Sequence, residues 1–312
     1  MNATPRHPFE IPPDLSRRGI YVGTSGYYYD DWVGLFNPPT PKKTNISDAE
    51  AADQDRLVFY QKYFALVEIN STFYQEPKIE KFYDIAERSR ERTKYAVKVH
   101  QDVSHTRKWD AAAGAEAIER HINTVSPLIE TGRFFTFLIQ TQDDLQRSQA
   151  RLDYFMTVAA AAIRKHVDVH IEFRHISWHD KHVLQTLKDN GVGICNTEIP
   201  PVGHLFPLNA YATTDKGYLR LSGRNVETWY PEKKGASAAE KIEAGNARYD
   251  YLYSAEEIEE RVALQIALSK KTQTIAVAYN NHYQANAVQN AIDTLKLLAK
   301  RLRVERAENR LP

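Results

Sequence analysis

The run KYAVKVH at residues 94–100 is short, is apolar at alternate positions and ends in charged residues, and the chain repeats this type of run eight times. Successive side chains of a β-strand point to opposite faces. Tyr95, Val97 and Val99 are therefore predicted to share one face, while Lys98 and His100 share the other. The eight predicted strands are Ile20–Ser25, Leu66–Ser71, Lys94–His100, Phe134–Gln140, Asp168–Arg174, Val192–Thr197, Gly217–Ser222 and Ile275–Asn281.

Helix-length segments separate most of these strands. The predicted helices are Arg56–Ala65, Lys78–Arg90, Ala112–Ile129, Leu145–His166, Asp180–Asn190, one that begins at the capping box of Ser254, and Gln284–Leu302. Strand–helix alternation on this scale indicates an α/β fold, a single parallel (β/α)8 barrel of the TIM type with decorated βα loops. We expect an extended arm at residues 1–18, the barrel at 19–305 and a tail at 306–312, with connections 37–55 and 223–253 covering the site.

Composition narrows the functional classes. The chain has 312 residues, a formal net charge of +1 and one cysteine, Cys195. The balanced charge gives no bulk attraction to nucleic acid or to an anionic membrane. A single cysteine excludes an intramolecular disulfide, and no signal peptide or membrane-spanning run is apparent, so we expect a cytoplasmic protein without a membrane partner.

Polar residues gather where the predicted strands end. The active sites of such barrels lie at the carboxyl ends of the strands, and their interiors are otherwise filled mostly by branched apolar side chains. Strand alternation predicts an inward polar set of Ser25, Glu68, Asn70, Lys98, His100, Gln140, Glu172, Arg174, Arg220 and Asn280. Any one of these charges could belong to an ion pair that only supports the fold, but the whole group indicates a functional site.

The signs of these charges suggest a ligand class. Glu68 and Glu172 supply two negative charges, against Lys98, Arg174 and Arg220 and, when protonated, His100. Because positive charges outnumber negative ones at the barrel mouth, we expect the partner to be a small anion such as a phosphate or a carboxylate. Two arginines suit forked recognition of such a group.

Three chemistries fit these residues. Glu68 and Glu172 could act as general acid and base in a hydrolysis. Lys98 could form a Schiff base with a carbonyl substrate, because cationic neighbours would lower its pKa. Glu68, His100 and Glu172 could hold a divalent metal, but without a metal or cofactor motif we do not favour this reading and leave the cofactor unknown.

Other residues allow weaker interpretations. Cys195 lies in an apolar run and is expected to be core rather than a nucleophile. Tyr27, Tyr28, Tyr29 and Trp32 follow the first strand, where they could stack on a ligand ring or pack across the barrel mouth.

Several ordered segments of the chain resemble the domain-of-unknown-function-72 (YecE-like) family from about Ile20 to Leu295. They are GTSGYYYDDWVGLF, FYQKYFALVEINSTFYQEP, YAVKVHQDVSHT, FLIQ, IEFRHISW, YLRLSGRN and AYNNHYQANAVQNA. The resemblance implies a TIM-type barrel and no established activity. It adds Tyr74 and Asn281 to the candidate ligand-binding residues. Tyr27 replaces a usual tryptophan, Ser222 replaces a usual histidine, and TQDDL follows the fourth strand in place of prolines.

The prediction is therefore an enzyme, of hydrolase or lyase type, acting on a small anionic substrate at the carboxyl mouth of the barrel. Arg174 and Arg220 would hold the anion, Glu68 and Glu172 would move protons, and Lys98 would be the electrophile or imine former. Two alternatives remain. One is a nucleic-acid or nucleotide-binding protein that makes contact through the tyrosines after the first strand, Trp32, Trp229, Arg224, Lys233 and Lys234. The other is a non-catalytic ligand sensor.

Overall fold

The computed structural model describes residues 9–38, 55–230 and 247–308. Its eight strands form a closed barrel in chain order, and every neighbouring pair is parallel. They are β1 Ile20–Ser25, β2 Leu66–Ile69, β3 Lys94–Lys98, β4 Phe134–Gln140, β5 Val169–Glu172, β6 Gly193–Glu198, β7 Lys216–Leu221 and β8 Thr274–Tyr279. The predicted (β/α)8 barrel is confirmed. The long connections expected to cover the site lie largely outside the described residues.

The α-helices of the described part follow the predicted order. They are α1 Arg56–Tyr60, α2 Ile79–Arg88, α3 Gln101–Ser104, α4 Ala111–Glu130, α5 Gln149–Ile163, α6 Lys181–Asp189, α7 Val226–Trp229, α8 Ala255–Ser269 and α9 Asn286–Glu308. The capping box at the start of α8 is present, because Ser254 accepts from the amide of Glu257 and Glu257 accepts from that of Ser254. Two short helices, α3 and α7, were not predicted.

Strand alternation divides the barrel as the sequence predicts. Val67, Tyr95 and Val97 join the large apolar core that the strands share with the surrounding helices. A second apolar cluster, which includes Leu66, Ala96, Leu138, Cys195, Tyr218 and Ala278, lies on the opposite strand faces. Cys195 is a buried free thiol in that cluster, which confirms its assignment to the core.

Contacts link the described part of the predicted arm to the rest of the chain. In the described part of the predicted arm, Phe9 packs edge-on against Phe36 at 5.7 Å, and Glu10 pairs with Lys296 of α9 at 2.8 Å. The last helix continues to Glu308, three residues beyond the expected end of the barrel domain. Among the residues with described structure, no helix is long and apolar enough to span a membrane.

Candidate active site at the barrel mouth

Glu68 is the centre of a buried network at the carboxyl ends of the strands. Its side chain has no solvent exposure. Nε of Arg220 lies 3.0 Å from both carboxylate oxygens, Ser25 donates its hydroxyl to Oε1, and Tyr218 donates its hydroxyl to Oε2. Burial and the neighbouring Glu68 raise the pKa of Tyr218, so the phenol keeps the proton that it donates. Each oxygen of Glu68 thus accepts hydrogen bonds from two groups, which suits an anchor for the barrel mouth.

Glu172 links two arginines. Nε of Arg174 donates to Oε1 of Glu172 at 2.8 Å, and Nη1 of Arg220 donates to Oε2 at 3.3 Å. Arg220 also donates to the amide oxygen of Gln140 at 3.2 Å. Burial acts to raise the pKa of Glu172, but the attraction of Arg220 and Arg174 outweighs it and lowers that pKa below its ordinary value. The sequence prediction that these residues converge at one rim therefore agrees with their contacts.

Asp143, in the loop after β4, is a member of this network that sequence reasoning missed. It accepts from Nη1 of Arg174 at 3.0 Å, from the indole of Trp229 at 3.3 Å and from the hydroxyl of Tyr230 at 3.2 Å. Asp143 raises the number of carboxylates to three, so the expected shortage of negative charge was wrong. Both arginines predicted to hold an anion are already bonded to carboxylates of the protein.

Lys98 differs from the other cations of the mouth. Within the described part of the chain, its ammonium makes no hydrogen bond or ion pair, and Nζ lies 4.0 Å from the centre of the Phe73 ring. The side chain is almost completely buried. Burial, reinforced by the positive charges of Arg220 and Arg174, lowers the pKa of Lys98 to about 7. At neutral pH a large fraction of this amine is unprotonated and able to act as a nucleophile.

Asn70 and Ser25 connect the network to an open cleft. Nδ2 of Asn70 donates to Oγ of Ser25 at 2.5 Å, while Oδ1 of Asn70 is buried and has no hydrogen-bond partner in the part of the chain that the structure describes. Asn70 and Glu68 also line a cleft of about 700 Å³ beside β1 and β2, together with Tyr27, Tyr28, Tyr29, Ser71 and Tyr74. A cleft of this size accommodates a small organic ligand.

The remaining candidates lie in different surroundings. Gln140 is inside the network, and Asn280 donates to Oγ of Ser222 at 3.1 Å. Trp32 is fully buried and donates its indole hydrogen to the carbonyl of His282, so its contacts are those of packing across the mouth. Tyr74 is 75% exposed at the cleft.

Asn281 and His100 lie away from the inward set. Asn281 donates to the carbonyl of Tyr251 at 2.7 Å and to Asn290 of α9 at 2.8 Å. β3 ends at Lys98, so the alternation does not extend to His100, whose side chain caps α3 by accepting from the amide of Asp102.

The three residues weighed as metal ligands do not form one set. Glu68 and Glu172 are bonded to arginines, and the imidazole of His100 lies 3.2 Å from the carboxylate of Asp102. His100, Asp102 and Glu76 bring potential ligand atoms within 4.8 Å of one another, but both carboxylates are exposed to solvent. No contact of the described residues joins this group to the network around Glu68, so we assign it no role.

Comparison with known proteins agrees with the fold and the motifs. A sequence model described as "Protein of unknown function DUF72" matches residues 21–311. UPF0759 protein YunF of Bacillus subtilis (strain 168) is 21% identical over 291 residues, which cover 89% of this chain and 94% of that protein.

Solved structures that align with this chain are also DUF72 family proteins. A DUF72 family protein from Thermotoga maritima MSB8 aligns with a TM-score of 0.74 and 27% identity over 90% of this chain and 99% of its own. A DUF72 family protein from Enterococcus faecalis V583 aligns with a TM-score of 0.72 and 22% identity over 90% of this chain and 95% of its own. The chain therefore belongs to the DUF72 family of TIM-barrel proteins of unknown function.

Proposed function

We propose that this protein is an enzyme of the lyase type that forms an imine between Lys98 and a small carbonyl compound. The observation that carries the proposal is the isolation of one buried amine among charges that are otherwise paired. Lys98 has no carboxylate or hydrogen-bond partner among the described residues, whereas Arg174 and Arg220 are each bonded to carboxylates. A structural lysine is normally paired when it is buried, because an isolated charge is costly to desolvate.

The lowered pKa of Lys98 suits the first step of this chemistry. The unprotonated amine attacks the carbonyl carbon, the resulting carbinolamine takes up a proton from solvent and loses water, and a protonated imine remains. A bond from the neighbouring carbon then breaks, its substituent leaves as a proton or as a carbonyl fragment whose hydroxyl gives up its proton, and the electron pair passes through the resulting enamine to the imine nitrogen. Protonation of the enamine carbon by solvent restores the imine, and addition of water releases the carbonyl product and the free amine. A pKa of about 7 provides both the free amine for attack and the protonated form at neutral pH.

Charge balance is compatible with a protonated imine, as it is with a protonated Lys98. Glu68, Glu172 and Asp143 are three carboxylates, whereas Arg174 and Arg220 supply only two permanent positive charges. A protonated imine on Lys98 supplies the third positive charge. This balance argues for a hydrolase less well, since both glutamates are already held by arginines and have little freedom to exchange protons with a substrate.

Reductive trapping tests the proposal. The protein is incubated at pH 7 with neutral and anionic carbonyl probes, among them glycolaldehyde, hydroxyacetone and pyruvate, in the presence of cyanoborohydride, and adducts are mapped by peptide mass spectrometry. We expect Lys98 to be modified at least about tenfold faster than the exposed Lys165, with loss of that adduct in Lys98→Arg. Lys94→Arg, on the same strand at the opposite end, is the matched control and should leave the adduct unchanged.

A thermal-shift measurement, made alongside the trapping experiment, tests the alternative of a non-catalytic anion sensor. Protonated Lys98 is the one cation of the network not bonded to a carboxylate among the described residues, so it could pair with a phosphate or carboxylate. A sensor would show a thermal shift with inorganic phosphate or sulfate and no adduct at Lys98. That result would replace the lyase proposal.

A further inference from the structure

We infer that the substrate is a hydroxylated carbonyl compound, whose hydroxyl group donates a hydrogen bond to Oδ1 of Asn70 while its carbonyl reacts with Lys98. This inference rests on the proposed function, because it concerns the substrate class of the same site. It is carried by the one-sided hydrogen bonding of Asn70 and by the position of Asn70 between the cleft and β3.

The orientation of the Asn70 amide follows from its neighbours. The hydroxyl of Ser25 has a single hydrogen, which it donates to the carboxylate of Glu68. Ser25 can then act only as an acceptor toward Asn70, so Asn70 must direct its NH2 group to Ser25, at 2.5 Å. The hydrogen-bond chain from Glu68 thereby fixes Oδ1 of Asn70 as the atom that remains for another partner.

That oxygen is left without a donor. Oδ1 of Asn70 is buried and has no hydrogen-bond partner among the described residues, although buried polar atoms are hydrogen-bonded in the large majority of cases. An amide oxygen accepts hydrogen bonds and cannot donate them. A hydroxyl group of a ligand satisfies it, whereas a carboxylate or an unprotonated phosphate oxygen repels it.

The register of the strands brings this acceptor to the level of the amine. Ile69, the last residue of β2, pairs with Val97 of β3, so Asn70, which directly follows β2, is expected at the level of Lys98 of β3. Neighbouring strands lie about 4.8 Å apart, so groups that extend from these two residues can engage adjacent atoms of one small molecule. Asn70, though not Lys98, lines the cleft of about 700 Å³, so the inference places the substrate at the inner end of that cleft, beside Asn70.

Two probes that differ by one hydroxyl group test the inference. Acetaldehyde and glycolaldehyde are trapped on the protein with cyanoborohydride, and the rate at Lys98 is divided by the rate at exposed Lys165 to remove the intrinsic reactivity of each aldehyde. We expect this ratio to favour glycolaldehyde by about tenfold or more, because only glycolaldehyde satisfies Oδ1 of Asn70. Asn70→Ala should abolish the preference, and the exposed Asn190→Ala should preserve it.

A second variant covers the case in which Asn70→Ala does not fold. Ser25→Ala removes the acceptor that fixes the amide, so the preference should fall although Asn70 is retained. Equal trapping of both aldehydes at Lys98 in the unaltered protein, or an unchanged preference in either variant, overturns the inference and leaves the imine proposal standing. No trapping of either aldehyde at Lys98 overturns the imine proposal itself.

Discussion

Arg220 and Glu68 join opposite parts of the barrel mouth, because Nε of Arg220 on β7 lies 3.0 Å from both carboxylate oxygens of Glu68 on β2. Both side chains are almost completely excluded from solvent. The same guanidinium reaches Glu172 on β5, so one residue ties three strand ends together. Charges this deeply buried are stable only while they remain paired.

Loss of Arg220 should therefore destabilise the fold strongly. We expect Arg220→Met to lower the free energy of unfolding by about 3–5 kcal/mol, because it leaves two buried carboxylates with fewer partners. Urea denaturation measures the change. Arg301→Met is the matched control, since Arg301 pairs with Glu259 on the exposed surface, and it should cost less than about 1 kcal/mol. Equal losses for the two variants would contradict the description of the network.

Removal of Lys98, in contrast, should leave the stability of the fold nearly unchanged. We expect Lys98→Met to leave the free energy of unfolding within about 1 kcal/mol of the unaltered protein, or to raise it, because no hydrogen bond or ion pair with a described residue is lost and an apolar chain can pack at Phe73. The same variant should lose reductive trapping by carbonyl probes. A destabilisation of more than about 2 kcal/mol would mean that Lys98 supports the fold instead.

The residues at the barrel mouth show which part of the site the sequence could predict. Strand alternation placed Glu68, Lys98, Glu172 and Arg220 on the inward face, because a period of two is a local property of a strand. It failed at His100, because β3 ends at Lys98 and the chain turns into α3.

Strand alternation cannot predict where the side chains of loop residues point. Asp143 lies after β4, where no periodicity sets the direction of a side chain, and its partner Arg174 follows the end of a different strand, β5. The sequence also could not assign partners within the inward set. Individual contacts, such as that of Tyr218 with Glu68, depend on the tilt and register of the closed barrel.

His170 makes stability depend on pH. It is buried inside the barrel between Thr136 and the carbonyl of Lys216, and burial lowers its pKa to about 4. The unfolded chain binds a proton at this residue below about pH 6.5 and the folded protein does not, so stability is lost as the pH falls from about 6.5 toward 4.

A variant at this position isolates the effect. His170→Gln removes one titrating group, so the free energy of unfolding should fall by about 2 kcal/mol less between pH 7 and pH 5 than in the unaltered protein. Urea denaturation at the two pH values provides the measurement. An identical pH dependence in both proteins would show that His170 is not the buried neutral group described.

Gly23 is required by the close approach of β1 to β2. A Cβ atom at this position would overlap the carbonyl oxygen of Leu66, which is backbone and cannot move aside. We expect Gly23→Ala to destabilise the protein by about 1–3 kcal/mol in a denaturation experiment. Gly203→Ala is the control, because a Cβ atom there has no heavy atom within 4 Å, and its effect should be much smaller.

The pKa of Lys98 is the quantity on which the account depends most. It can be measured by trace acetylation across a pH series, with the Lys98 peptide quantified by mass spectrometry against exposed Lys165. We expect labelling of Lys98 to rise with a midpoint near pH 7, in agreement with a pKa of about 7. A midpoint near the ordinary value of 10.5 would contradict the claim that the barrel mouth holds an unpaired, reactive amine.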